Sequence, residues 1–164
     1  MVALIAIDGP AGAGKTTLAA QFYVDFSPEK SVSVIHMDDL YSGWINALDE
    51  GLTSRLAVIV REYNAHRSFT IAIFNWLTMA FDSSLTIEPT DILIIEGVGA
   101  AQKIVRDAGA ITYWLDIEPA LGLERVLQRD GFEIENQMRQ WQIDQEAYFA
   151  SDLTRIHADY ILTS

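Results

Sequence analysis

Hydrophobic residues along this chain fall into short unbroken runs, separated by stretches in which they recur at helical spacing. Val2-Ala3-Leu4-Ile5-Ala6-Ile7 and Ile92-Leu93-Ile94-Ile95 are continuous apolar runs, as strands buried on both faces of a parallel sheet require. Residues 31–36, 111–117 and 158–162 read as further strands. A helix is expected over 15–26, ended by Ser27-Pro28 because proline cannot continue a helix interior. Leu52, Leu56, Ile59, Val60 and Tyr63 repeat every three to four positions and predict a helix over 52–66. A short helix is expected at 100–108, and two more at 119–129 and 134–150. Residues 68–90 are ambiguous: Phe69-Thr70-Ile71-Ala72-Ile73-Phe74 suits a strand or the opening of a helix, and Leu85-Thr86-Ile87 a small edge strand. No repeat, linker or low-complexity segment interrupts the pattern. Strands alternating with helices predict an α/β fold around a mainly parallel sheet, as a single domain over 1–164. Such sheets bind ligands at the carboxyl ends of their strands. That edge should collect residues 9–16, Asp38, Asp39, Glu96 and Asp116.

Composition narrows the classes. The 164 residues are half hydrophobic and about a fifth charged, which suits a globular chain with a sizeable core. No apolar run reaches membrane-spanning length, and the N-terminal run leads straight into a glycine-rich loop rather than a cleavage site. Cysteine is absent, which removes disulfides and thiolate metal sites and suits a cytoplasmic location. The net charge of −12 opposes nucleic acid and anionic membranes as partners, and requires a site for ATP to place its cations locally or to screen itself with Mg2+; oligomeric state is left open. Only Lys15, Lys30 and Lys103 are lysines, so arginines are the natural phosphate clamps.

The richest segment is Gly9-Pro10-Ala11-Gly12-Ala13-Gly14-Lys15-Thr16, the G-x-x-x-x-G-K-T phosphate-binding loop, or P-loop, in its required setting of strand before and helix after. Its glycines let backbone N–H groups turn inward, and the positive end of the following helix adds to them. Gly9, Ala11, Gly12, Ala13, Gly14, Lys15, Thr16 and Thr17 are therefore expected to hold ATP, with Lys15 reaching the β- and γ-phosphates and Thr16 offering its hydroxyl to Mg2+. Asp38 directly follows the second strand and suits a general base, or a turn former. Glu96 ends an aliphatic strand at a Walker-B-like position and is a second candidate for Mg2+. Arg125 and Arg129 lie four apart on one helix face; like charges there repel unless an anion lies between them. They are read as a bidentate phosphate clamp, with Arg139 as a possible third member. Tyr41, Trp44 and Trp76 are candidates for stacking on a ring-shaped acceptor, while Trp114 and Trp141 read as core. His36 reads as structural, and His66 and His157 have no companion at metal-ligand spacing, so no zinc or iron site is expected.

With these residues in view, the chain resembles the small P-loop kinases of nucleosides and nucleotides, and uridine kinases most closely. His36-Met37-Asp38-Asp39-Leu40-Tyr41 resembles the uridine kinase loop in which an Asp precedes an aromatic pair, with Leu40 replacing the usual Phe. The resemblance implies that Asp38 is the base for a ribose 5′-hydroxyl, and that Tyr41 contacts the nucleoside. Ile92 to Gly97 is similar to the strand ending in Glu-Gly, and Leu123 to Asp130 to an arginine-bearing lid helix, making 119–150 lid-like. It further implies a three-layer α/β/α P-loop NTPase fold with a five-stranded, mainly parallel sheet in the order 2-3-1-4-5. Ile7-Asp8-Gly9-Pro10-Ala11-Gly12 is closer to cytidylate kinase. Only Thr163-Ser164 follow the last strand, where related kinases use a loop to hold adenine.

The leading expectation is thus an ATP-dependent kinase acting on uridine or cytidine. A nucleoside-monophosphate kinase would need extra cations, for which Arg55, Arg61 and Arg67 are available. Kinases of the gluconate or shikimate type share the architecture, and a non-catalytic ATP sensor is the alternative from another class. A guanine switch is not: none of the lysines is followed two residues later by Asp, as its N/T-K-x-D motif demands.

Overall fold

The computed structural model describes residues 2–163. The strand β1 (Ala3–Asp8) leads through the P-loop into the helix α1 (Lys15–Phe26), then β2 (Val32–His36) and a 3-10 turn at Met37–Asp39. There follow α2 (Glu50–Asn64), β3 (Phe69–Asn75), β4 (Ala80–Ile87), β5 (Ile92–Glu96) and α3 (Lys103–Asp107). The chain closes with β6 (Ile111–Asp116), α4 (Pro119–Asp130), a 3-10 turn at Phe132–Ile134, α5 (Glu135–Asp152) and β7 (Tyr160–Thr163). Five strands form one sheet in the order β2-β5-β1-β6-β7, every pairing parallel. Numbered among themselves in chain order, these strands read 2-3-1-4-5, as expected.

The apolar runs of β1 and β5 divide with period two, as a pleated strand must. Leu4, Ala6, Leu93 and Ile95 enter the core beneath α2 and α5, while Ile5, Ile7, Ile92 and Ile94 enter the one beneath α1. Every residue of β5 is buried. Truncating Ile94, fully enclosed, to alanine should cost roughly 2–5 kcal/mol through lost transfer energy and the cavity left behind.

Helix boundaries follow local chemistry. Asp49 caps α2, its Oδ1 accepting the Leu52 N–H at 2.9 Å, and Leu52, Leu56, Ile59, Val60 and Tyr63 form its buried stripe. Glu118 caps α4 ahead of Pro119 at the first helical position. Residues 68–90 resolve as a β-hairpin: β3 and β4 pair antiparallel as a separate two-stranded sheet, with a register shift between Ile73 and Phe74. Thus the expected strand over 69–74 forms and the helical alternative does not. Leu85 to Ile87 belong to an eight-residue strand rather than a small one. No helix among the described residues is long and apolar enough to cross a membrane.

Candidate active site

Asp8 ends β1 with its side chain fully buried. Its carboxylate accepts N–H groups from Gly9 at 2.7 Å, Gly99 at 3.0 Å and Ala101 at 2.8 Å, tying the P-loop to the segment after β5. Burial pushes its pKa up to about 6, although those hydrogen bonds and the Lys15 charge pull the other way. Gly14 caps α1 in the left-handed region at φ 95° with no side chain on the first-turn N–H groups, which leaves them for an anion. Gly12, at φ 84°, packs so closely on α4 that a Cβ there would lie 2.4 Å from the Gly122 carbonyl oxygen. Lys15 is buried; its Nζ donates to the Pro10 carbonyl at 2.7 Å, arched over the loop. Burial lowers its pKa, opposed by the negative charges of Asp8, Glu96 and Asp38.

The strand ends supply the acidic wall. The register of β2 on β5 sets His36 beside Glu96. Glu96 is buried, and its Oε1 accepts the Thr16 hydroxyl at 3.1 Å and meets His36 Nδ1 at 2.5 Å. The hydrogen bond to Glu96 raises the His36 pKa, against the opposing effect of burial. Asp38 sits in the 3-10 turn beyond β2, open to solvent at the cleft but flanked by protein elsewhere. Burial raises its pKa, the Glu96 charge adds to the rise, and Lys15 and Arg129 oppose it.

A cleft of about 370 Å³ joins these groups. Ala11, Gly12, Lys15 and Thr16 line one end, and Asp38, Glu96 and Arg129 the middle. The far wall is apolar: Trp44, Trp76, Val98, Val126, Met138 and Trp141. Trp44 packs edge-on against Trp76, with ring centroids 5.1 Å apart, and against Trp141 at 6.1 Å. The Trp76 indole N–H donates to the Asp38 carbonyl at 3.0 Å, so the turn of the hairpin is fastened to the backbone of the acidic loop.

The sequence-selected residues fare unequally. Trp44, Trp76 and Asp38 share the cleft, and Trp141, expected as core, is buried and also forms its wall. Tyr41 borders the cleft, but its hydroxyl is spent on the Val98 carbonyl at 2.6 Å. Gly9, Ala13, Gly14 and Thr17 belong to the loop and the first helical turn rather than to the cleft lining. Arg129 lines the cleft with its guanidinium paired to Asp130, Nη2 to Oδ2 at 2.7 Å. Arg125 reaches the Gly12 carbonyl, Nη1 at 3.4 Å, and is not among the residues lining the cleft. Arg139 pairs with Glu135 one turn back on α5 and lies outside the cleft lining. Asp116, expected at the ligand edge, is held by Arg155 at 2.7 Å and by the Trp114 indole, a structural pairing. Arg61 and Arg67 both pair with Glu62, and Arg55 lies over the Phe81 ring, so none lines the cleft for a second phosphate. Asp8, His36 and Gln145 also belong to the site, although the sequence alone does not single them out for it. Gln145 Oε1 accepts the Ala11 N–H of the P-loop at 3.1 Å.

The residues present fit a nucleotide triphosphate tail and a magnesium ion. Gly14 presents uncapped N–H groups, Lys15 is positioned at their side, and Thr16 and Glu96 pair hydroxyl with carboxylate at the cleft. No group of three or more His, Asp or Glu side chains among the described residues could hold a metal alone.

No protein-family model and no curated protein matches the chain. Solved structures do. A possible uridine kinase from Bacillus stearothermophilus is 23% identical, with a TM-score of 0.69 over 98% of this chain and 88% of that one. Shikimate kinase from Bacteroides thetaiotaomicron is 18% identical, with a TM-score of 0.58 over 98% and 85%. A gluconokinase from Sinorhizobium meliloti 1021 is 13% identical, with a TM-score of 0.56 over 99% and 81%. The chain has the α/β fold of the P-loop kinases.

Proposed function

We propose that this protein is a cytoplasmic kinase that moves the γ-phosphoryl group of Mg-ATP to a hydroxyl of a small molecule, a pyrimidine nucleoside such as uridine or cytidine. The observation that carries this reading is the opening of the P-loop lysine, the Thr16–Glu96 pair and Asp38 into one cleft closed by tryptophans.

The loop amides and Lys15 bind and orient the phosphates. Thr16 and Glu96 would hold magnesium, which would supply positive charge to offset that of the phosphates. His36, hydrogen-bonded to Glu96, fixes the orientation of that carboxylate. Asp38 takes the proton of the acceptor hydroxyl as its oxygen bonds to the γ-phosphorus and the bond to the β,γ-bridging oxygen breaks. The raised pKa of Asp38 makes it a stronger base than an ordinary carboxylate. Arg129 faces the same space, where positive charge stabilises the transferring group.

An aromatic wall suits the face of a base, which gains stacking and apolar burial. The same wall speaks against sugar acids and monophosphates, whose anions would need cations that line the cleft only as Lys15 and Arg129. The test is ADP release from Mg-ATP with uridine or cytidine against UMP, CMP, gluconate and shikimate. Turnover with the nucleosides alone is expected. Turnover with only the anionic acceptors overturns the nucleoside, and none with any acceptor despite ATP binding favours a sensor.

A further inference from the structure

The helix α5 buries only three residues, Met138, Trp141 and Gln145. They lie three and four positions apart and so form one stripe. The first two line the acceptor wall of the cleft. The third, one turn beyond Trp141 and 5% exposed, accepts the Ala11 N–H across 134 residues of sequence. Neighbouring loop amides are satisfied locally, Gly9 by the Asp8 side chain and Ala13 by the Pro10 carbonyl at 3.2 Å. Ala11 depends instead on a distant side chain, and it lines the same cleft as Trp141.

The far end of α5 makes a second attachment. Asp152 accepts the Lys103 N–H at 3.0 Å and pairs with Arg106 at 2.6 Å, while Arg106 also donates to the Ala101 carbonyl at 2.7 Å. The Ala101 N–H in turn donates to Asp8, the residue that launches the P-loop. One rigid helix, roughly 27 Å long at 1.5 Å per residue, therefore touches the acceptor wall, the P-loop and the segment that braces it.

We propose that Gln145 is a positioning residue that couples the tryptophan wall to the P-loop through α5, so that filling either end of the cleft orders the other. This rests on the nucleotide-binding reading above. Such coupling is reciprocal in binding free energy.

The experiment is hydrogen exchange on the whole chain with and without Mg-AMP-PNP, following peptides over the P-loop and over 136–149. Wild type should show slowed exchange in both. Gln145→Leu should still bind AMP-PNP, about fivefold more weakly for the loss of one hydrogen bond, and protect the P-loop while α5 no longer responds. Gln145→Glu, which keeps an acceptor oxygen, should restore the α5 response. An unchanged α5 in wild type, with the P-loop protected, overturns the coupling and leaves nucleotide binding intact; so does an α5 response that survives in Gln145→Leu. Absence of P-loop protection in wild type overturns both readings. Should Gln145→Leu fail to fold, the wild-type arm decides alone.

Discussion

The two ends of the cleft are built differently. The phosphate end is a contiguous stretch of backbone, Gly9 to Thr16, between one strand and one helix. The acceptor end is assembled from side chains of four distant segments: the loop after β2, the turn of the β3–β4 hairpin, the loop after β5 and the helices α4 and α5 with the turn between them. Backbone geometry tolerates almost no change, because a Cβ at Gly12 strikes the α4 backbone. A wall of side chains can be re-cut residue by residue. On this reading the donor is fixed by architecture and the acceptor by decoration.

The largest expected effect strikes the phosphate end. Lys15→Ala should lower turnover by about a hundredfold or more, measured as ADP release under saturating acceptor; wild-type turnover would remove Lys15 from the chemistry. Asp38→Asn probes the boundary between the ends. It should cost roughly 10²–10⁴-fold in transfer while calorimetric Mg-ATP affinity stays the same, and unchanged transfer would reject it as the base. Trp44→Ala should mainly raise the acceptor KM, by roughly tenfold for one lost stacking partner, with a smaller rise in the ATP KM passed on through Trp141 and α5. An equal rise in both would show that Trp44 does not act chiefly on the acceptor.

An effect of a different kind, on stability rather than turnover, concerns Asp8. Its folded pKa, about 6, lies above the ordinary 3.8, so between those values the folded state holds a proton that the unfolded state has lost. Stability from this group therefore grows as pH falls from above 6 towards 4, and declines as pH rises through 6. Urea midpoints of wild type relative to Asp8→Asn, compared at pH 7 and pH 4.5, should move in that direction; a flat difference would place the carboxyl elsewhere on the scale.

The same contrast explains what the sequence made legible. The P-loop, β1 and α1 can be read because their chemistry is local: apolar run, glycines, lysine, helix. The sheet order is legible only through the resemblance to the small P-loop kinases. The hairpin resisted because β4 buries only Ile87 and so shows no two-residue alternation. His36 alternates with its strand neighbours and so reads as structural; its partner lies 60 residues away, and only the parallel register, which pairs it with Glu96, reveals the contact. Arg125 and Arg129 looked like a clamp because helical spacing gives a shared face but not what that face meets. Asp130, adjacent to Arg129, captured its guanidinium. Gln145 carries no local signal at all: an uncharged residue in a polar helix becomes meaningful only beside Ala11.

The bond from the Trp76 indole to the Asp38 carbonyl has a consequence for evolution of this cleft. A hairpin tip is ordinarily free to drift, being cheap to lengthen or shorten. Here any insertion that retracts the indole also releases the peptide carrying the carboxylate, so a trial of new acceptors there is paid in reaction rate. With Asp38 as the proposed base, variation in specificity should therefore accumulate on lining residues that do not touch that bond, such as Val98 and Val126.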